Sequence, residues 1–321
     1  MPGRPRRALV TGMAVRYVGD GPNCYADALT MVLGPAGPGP AAIEVLTGSP
    51  YGLSLHGPDL PIFCPSGWTP EIGIAAALDL LGWTCERTSG SVDEAVARIA
   101  RATPTDPVVT GPLEMGLLPH HPSLGQAIGT EHYFVVLGLE GDVVRMHDPR
   151  GFPYATLPLD SLLAAWQTDA FVYPVEPFIT RSRFRRVREV DLATALRDSL
   201  PAAVRWLVGP DAASTAERIA RIVEDGLTDS QYKYLVEYTV SGGAGRLGDA
   251  AVLLAEIEAV RARPGSVEHQ ARLVGALQHP LVAGDRAAAA ALWRELAPTY
   301  PRLRDALSLV LREGPAVPVP S

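Results

Sequence analysis

Residues 131–149 read EHYFVVLGLEGDVVRMHDP. Two runs rich in β-branched and aromatic residues, Tyr133–Leu139 and Val143–His147, flank Glu140-Gly141-Asp142. The pattern predicts an antiparallel hairpin with a tight turn. Pairing about that turn sets His132 opposite position 148 to within a residue of register. Directly opposed side chains have Cβ atoms about 4.5–5.5 Å apart, so Asp148 is expected to reach the His132 ring. A carboxylate that fixes the tautomer and orientation of an imidazole prepares it to take a proton from a nucleophile. The same pair could serve only to hold the hairpin together. His147 falls on the opposite face of its strand and is the weaker candidate base.

A candidate nucleophile lies upstream. Residues 20–34 read DGPNCYADALTMVLG. Gly21-Pro22 is a turn signal, Asn23 a good N-cap, and Gly34-Pro35 a stop. Tyr25–Leu33 therefore reads as a helix with Cys24 in its first turn. Orphan backbone N–H groups and the helix dipole stabilise an anion there. A thiol so placed can be shifted below its free pKa toward the nucleophilic thiolate. The same N–H groups could donate to a developing oxyanion. The alternative is a small buried residue, since free cysteine is among the most buried types.

Outward from these two segments the chain divides in half. Strands are also expected at Asp106–Thr110 and Ala170–Val175, and helices at Pro70–Leu81 and Val92–Arg101. No regular βαβ alternation is present, so the first half reads as α+β rather than doubly wound. Residues 181–188 (RSRFRRVR) hold five arginines and read as a junction. They form either a solvated linker or a dock for an acidic carrier protein or a phosphopantetheine phosphate. Beyond them helical spacing dominates, over 190–208, 212–226, 229–240, 247–263, 266–278, 284–297 and 301–312. Pro201 and Gly242-Gly243 are expected to interrupt it. The expected division is 1–178 for the α+β domain, 179–313 for an all-α domain, and a disordered tail at 314–321.

Composition bounds the function classes. The chain has 321 residues, of which 47 % are hydrophobic and 20 % charged. That rules out wholesale disorder. A net charge of −7 argues against nucleic-acid binding through bulk charge. No apolar run reaches the ~18 residues of a membrane span, and no signal-peptide core follows Met1. A cytoplasmic protein is the expectation. Three cysteines are an odd count for a disulfide framework. Cys64 sits in a loop, and Cys85 reads as buried. Without close ligand spacing among the cysteines, no metal is expected, and no cofactor. Glu114 ends an apolar run and reads either as a rim carboxylate or as a ligand for a substrate amine. His120 and His121, between prolines, read as a surface pair, a substrate contact or an alternative base.

Taken together, NCYADALTMVLG (23–34), EHYFVVLG (131–138) and VRMHDP (144–149) resemble a papain-like cysteine domain. They are similar to bacteriocin-processing peptidase domains and closer to the N-terminal domain of the butirosin biosynthesis protein H family. PVVTGPLE (107–114) and LPHHP (118–122) share the likeness. The second half resembles the helical domain that usually follows. The resemblance implies a papain-like fold in which Cys24 is the nucleophile, His132 the general base and Asp148 the orienting residue. It implies acyl transfer in natural-product biosynthesis, from a carrier-protein thioester through a Cys24 acyl-enzyme to a small amine. A chain-releasing cyclase or thioesterase, or a peptidase or amidase, would use the same triad. A homodimer is a further expectation. Papain-like enzymes place a Gln six residues before the Cys, where this chain has Val18. The oxyanion donor must then be Asn23 or the Cys24 backbone N–H alone.

Overall fold

In the computed structural model of the chain, the described residues are 14–19, 23–57, 59–121, 125–167, 169–171, 173–208, 212–255, 257 and 267–313. The expected tail at 314–321 lies outside them. The chain forms two compact units. One comprises residues 1–43 and 81–190, the other residues 44–80 and 191–321. The boundary is therefore not a single cut near residue 178. Residues 179–190 belong with the first unit, and residues 44–80 belong with the helices.

The first unit is built on a six-stranded antiparallel sheet. Its strands are β3 (Trp83–Thr88), β4 (Val108–Glu114), β5 (Glu131–Glu140), β6 (Val143–Asp148), β7 (Phe152–Pro158) and β8 (Thr180–Arg186). They lie in the order β3-β8-β4-β5-β6-β7, and every pairing is antiparallel. The expected hairpin is β5–β6, turning at Gly141, whose positive φ of 58° suits glycine. Three strands escaped the sequence reading, and the arginine run is one of them. Arg181 is buried and pairs with Val109. Beyond it, exposed Arg183 and Arg185 alternate with part-buried Ser182, Phe184 and Arg186, the pattern of a strand. Arg183 forms an exposed ion pair with Glu86. Four of the five arginines are sheet residues rather than linker, and Arg188 lies just past the end of β8. The expected strand at Ala170–Val175 is absent among the described residues there.

Helix α1 (Cys24–Leu33) packs on β5 and β4. α4 (Val92–Ile99) and α5 (Leu159–Trp166) bury Ala95, Ile99, Leu162 and Trp166 with Phe134, Val136, Val144 and Met146 of the sheet. Alternation puts the even-numbered residues of β5 and β6 on that face. α4 starts with a capping box between Ser91 and Glu94.

The second unit contains a short hairpin, β1 (Ser54–His56) with β2 (Leu60–Ile62), and helices from both chain segments. α2 (Pro40–Thr47) spans the boundary, and α3 is Pro70–Leu80. The remaining helices are α6 (Leu192–Val208), α7 (Ala212–Asp225), α8 (Asp229–Tyr234), α9 (Val240–Leu254), α10 (Val267–Ala276), α11 (Gln278–Ala283), α12 (Arg286–Leu296) and α13 (Thr299–Glu313). A π-helical turn, Leu235–Thr239, joins α8 to α9. Pro201 does not divide α6, which runs through it.

Gly242-Gly243 lies inside α9 rather than at a break. The reason is a close approach. Phe63, from the loop after β2, stacks on Trp293 of α12 with ring centroids 5.5 Å apart and planes 9° from parallel. A Cβ at Gly243 would lie 2.2 Å from Phe63 Cδ2. Polar contacts also bind residues 44–80 to the helices. Arg246 reaches the buried Glu44 at 2.8 Å, Gln231 Nε2 donates to Asp59 at 2.6 Å, and Thr239 Oγ1 donates to the Pro61 carbonyl at 3.1 Å. Gly243→Ala should therefore destabilise the protein by about 1–3 kcal/mol, the usual cost of forcing volume into a packed site. Urea unfolding measures it, and an unchanged midpoint would show that Phe63 moves freely.

Candidate active site

The β5–β6 register shapes the site. Val135 pairs with His147, which sets position 134 across from Asp148. His132 is thus a diagonal neighbour of Asp148 on the same face, rather than directly opposed. An imidazole spans a diagonal of that size. His132 Nε2 and Asp148 Oδ1 are 2.8 Å apart, and both side chains are buried.

Asp148 holds more than one histidine. His120 Nε2 lies 2.7 Å and His121 Nε2 2.9 Å from its other oxygen, Oδ2. The Arg150 backbone N–H donates to Oδ1 at 2.8 Å. Burial pushes the Asp148 carboxyl up, but attraction to His132 and the hydrogen bonds from His120, His121 and His132 outweigh it. Its pKa is held far below the usual carboxylate range. An ionised carboxylate only accepts hydrogen bonds, so the His132 proton sits on Nε2. In the neutral ring Nδ1 then carries the lone pair, which is the form a general base needs. His121 is pushed below the ordinary histidine value, chiefly by burial, despite its bond to Asp148.

The pair His120-His121 is therefore not at the surface. A turn places it. The His121 N–H donates to the Leu118 carbonyl at 3.0 Å, with Pro119 at the second position where its fixed φ fits. Glu114 anchors the ends of the loop. Its Oε1 accepts from the Gly116 and Ile128 N–H groups at 3.0 Å each, and its Oε2 from Gly129 at 2.8 Å. Glu114 is fully buried. It is a clamp on the loop, neither a rim carboxylate nor a group held out to a substrate amine. Phe152 meets both rings edge-on, with centroids 5.4 Å away. His147 faces the other way. It accepts from the Tyr154 N–H at 3.1 Å and packs against Tyr17.

Cys24 opens α1 as expected and is 8 % exposed. Burial pushes its thiol well above the usual range, and nearby Glu131, Asp148 and Asp27 add to that. The Tyr133 backbone N–H, which lies against the sulfur, opposes the shift without reversing it. The lowered pKa expected from the helix start is thus not realised, because loss of solvent outweighs a partial dipole charge. The structure brings Cys24 beside the residue that follows His132. It shows no hydrogen bond between the Cys24 sulfur and the His132 ring. Asn23 makes no side-chain cap bond to α1, contrary to the N-cap expectation. It is 6 % exposed, and its buried Oδ1 has no hydrogen-bond partner among the described residues. Val18 is half-buried and offers no side-chain donor. Cys64 is buried near Ser54 Oγ, at 3.9 Å, and Cys85 is only half-buried. Among the described residues, no helix is long and apolar enough to cross a membrane.

Residues 202–308 match the model of the YobF C-terminal domain. The chain is also similar to the uncharacterized protein YobF of Bacillus subtilis (strain 168), with 31 % identity over 161 residues. That alignment covers 49 % of this chain and 52 % of the relative, so the chain spans about half the length of the curated protein it matches. Neither description names an activity.

Proposed function

We propose that the chain is a papain-like, cysteine-dependent acyltransferase of the butirosin biosynthesis protein H type. In this reading it moves an acyl group from a carrier-protein thioester to a small amine. One observation carries the proposal. The Cys24 sulfur lies at a helix start against the N–H of Tyr133, the residue that follows His132 in β5, and the His132 Nε2 is held by a buried aspartate. A base oriented through Nε2 presents Nδ1 to a nucleophile. The motifs at 23–34, 107–114, 118–122 and 131–149 support the same reading.

Because the resting thiol is neutral, its proton leaves during attack rather than before it. Cys24 Sγ attacks the thioester carbonyl as His132 Nδ1 takes the thiol proton. The tetrahedral intermediate collapses, the carrier thiolate departs with that proton, and a Cys24 thioester remains. The amine then attacks this thioester, His132 accepts its proton, and the proton returns to the Cys24 sulfur as the amide leaves. Thioester exchange is close to thermoneutral and amide formation is downhill, so neither ATP nor a cofactor is required. In an unliganded site such contacts are often long and close only with substrate. The Cys24 backbone N–H and the Asn23 side chain are the available oxyanion donors in the absence of a Gln at position 18.

Intact-mass spectrometry with an acyl-carrier thioester tests this. The expected result is a mass adduct of the acyl group, absent in Cys24→Ala and discharged by added amines. Discharge to water or by ring closure would make the chain a thioesterase or cyclase. Turnover of peptides but not thioesters would replace the proposal with a peptidase.

Alkylation by iodoacetamide gives a pH signature. A thiol raised by burial is protonated at neutral pH, and its thiolate fraction grows only as pH climbs. The rate should rise continuously into the alkaline range. A plateau beginning in mild acid would mean a resting thiolate–imidazolium pair instead.

A further inference from the structure

We propose that His120, His121 and Asp148 form a binding site for one divalent transition-metal ion of the zinc class. The inference does not rest on the acyl-transfer reading.

The carboxylate of Asp148 is divided between two tasks. Oδ1 takes the His132 ring and the Arg150 N–H. Oδ2 takes the Nε2 atoms of two histidines adjacent in sequence. Orienting one general base needs only the first oxygen, so the second pair of rings is surplus to that task. Neighbouring residues do not ordinarily aim both side chains at one atom. Here the Leu118–His121 turn, the Glu114 clamp and the Phe152 ring edges hold them so. One donor atom from each of the three residues lies within 4.8 Å of the others.

Two imidazoles and a carboxylate are the donor set of zinc and of neighbouring first-row ions, which leave further positions for water or ligand. Metal–ligand distances of about 2.0–2.2 Å place tetrahedral donors roughly 3.3–3.5 Å apart. The observed 2.7 and 2.9 Å separations would have to open by about half an ångström. His120, the more exposed of the two rings, is the one with room to move. With the ion on Oδ2, Oδ1 still holds His132, so the metal fixes the carboxylate that orients the base. The proton of each Nε2 leaves to solvent as the ion binds.

Titrating chelator-stripped full-length protein with Co²⁺ tests the site directly. The expected result is the visible absorption of low-coordinate Co²⁺, saturating at one equivalent per chain and displaced by Zn²⁺. Zn²⁺ should also raise the melting temperature. His121→Ala and His120→Gln should each weaken binding by at least tenfold, about the loss seen when even an outer-shell partner is removed. His132→Ala and Cys24→Ala should keep the one-to-one stoichiometry. His120→Gln lies at the more exposed ring and preserves the assay if His121→Ala does not fold. No absorption at one equivalent, or binding unchanged in His120→Gln, would overturn the proposal. Metal binding by Cys24→Ala without acyl transfer leaves the metal site standing whatever becomes of the enzymatic reading.

Discussion

Under the proposed acyl transfer, Asp148→Asn should lower the rate of Cys24 acylation by on the order of 10³–10⁴-fold, the scale of loss when the aspartate of a catalytic triad becomes an amide. The cause is the proton on His132. The carboxylate accepts at both oxygens, so it holds Nε2 protonated and leaves Nδ1 basic. An amide brings an NH₂ group into a space where four donors already converge. At least one ring must then turn or exchange its tautomer. The same change removes charged-acceptor hydrogen bonds from a fully buried site, so stability falls too, by about 1.5–3 kcal/mol. Single-turnover mass spectrometry gives the first quantity and urea unfolding the second. The rate is read below the unfolding transition, where circular dichroism reports a folded chain. Acylation at the parental rate would remove Asp148 from the mechanism.

Trp293→Ala costs about 3–5 kcal/mol, the range for deleting a large buried aromatic side chain. Trp293 is fully buried in α12, and its ring lies flat on Phe63. The Phe63 ring also fills the space that Gly243 leaves open. Deleting the indole therefore removes its own buried area and the support of the residue by which the segment 44–80 grips the helices. Urea unfolding followed by circular dichroism measures the loss. A cost below 1 kcal/mol would show that the stack is not a principal contact of that unit. Gly243→Ala disturbs the same stack through Phe63. The two effects should not add, because the sites share Phe63.

Amino-acid order alone determined what depends on near neighbours. The β5–β6 hairpin follows from two β-rich runs about Gly141, and α1 from Asn23, Cys24 and the Gly34-Pro35 stop. The His132–Asp148 pair was legible because both residues belong to that one hairpin, so turn geometry brings them together. Helical periodicity after residue 190 was equally plain, since an apolar stripe is local in sequence.

Tertiary packing decided the rest. The arginine run became a strand because β3 and β4 flank it, and no pattern within eight residues records that. Gly243 sits inside a helix at a point where Phe63, far away in the chain, needs the room. Residues 44–80 join the helical unit through Phe63, Asp59 and Glu44, contacts that span more than 170 positions. His120 and His121 turn inward onto Asp148 because a buried Glu114 folds their loop. The Cys24 thiol is raised rather than lowered because burial depends on what covers the helix start. Local sequence sets backbone preferences worth tenths of a kcal/mol per residue. Which distant surfaces are shielded from water sets energies several times larger, and only the folded chain fixes those.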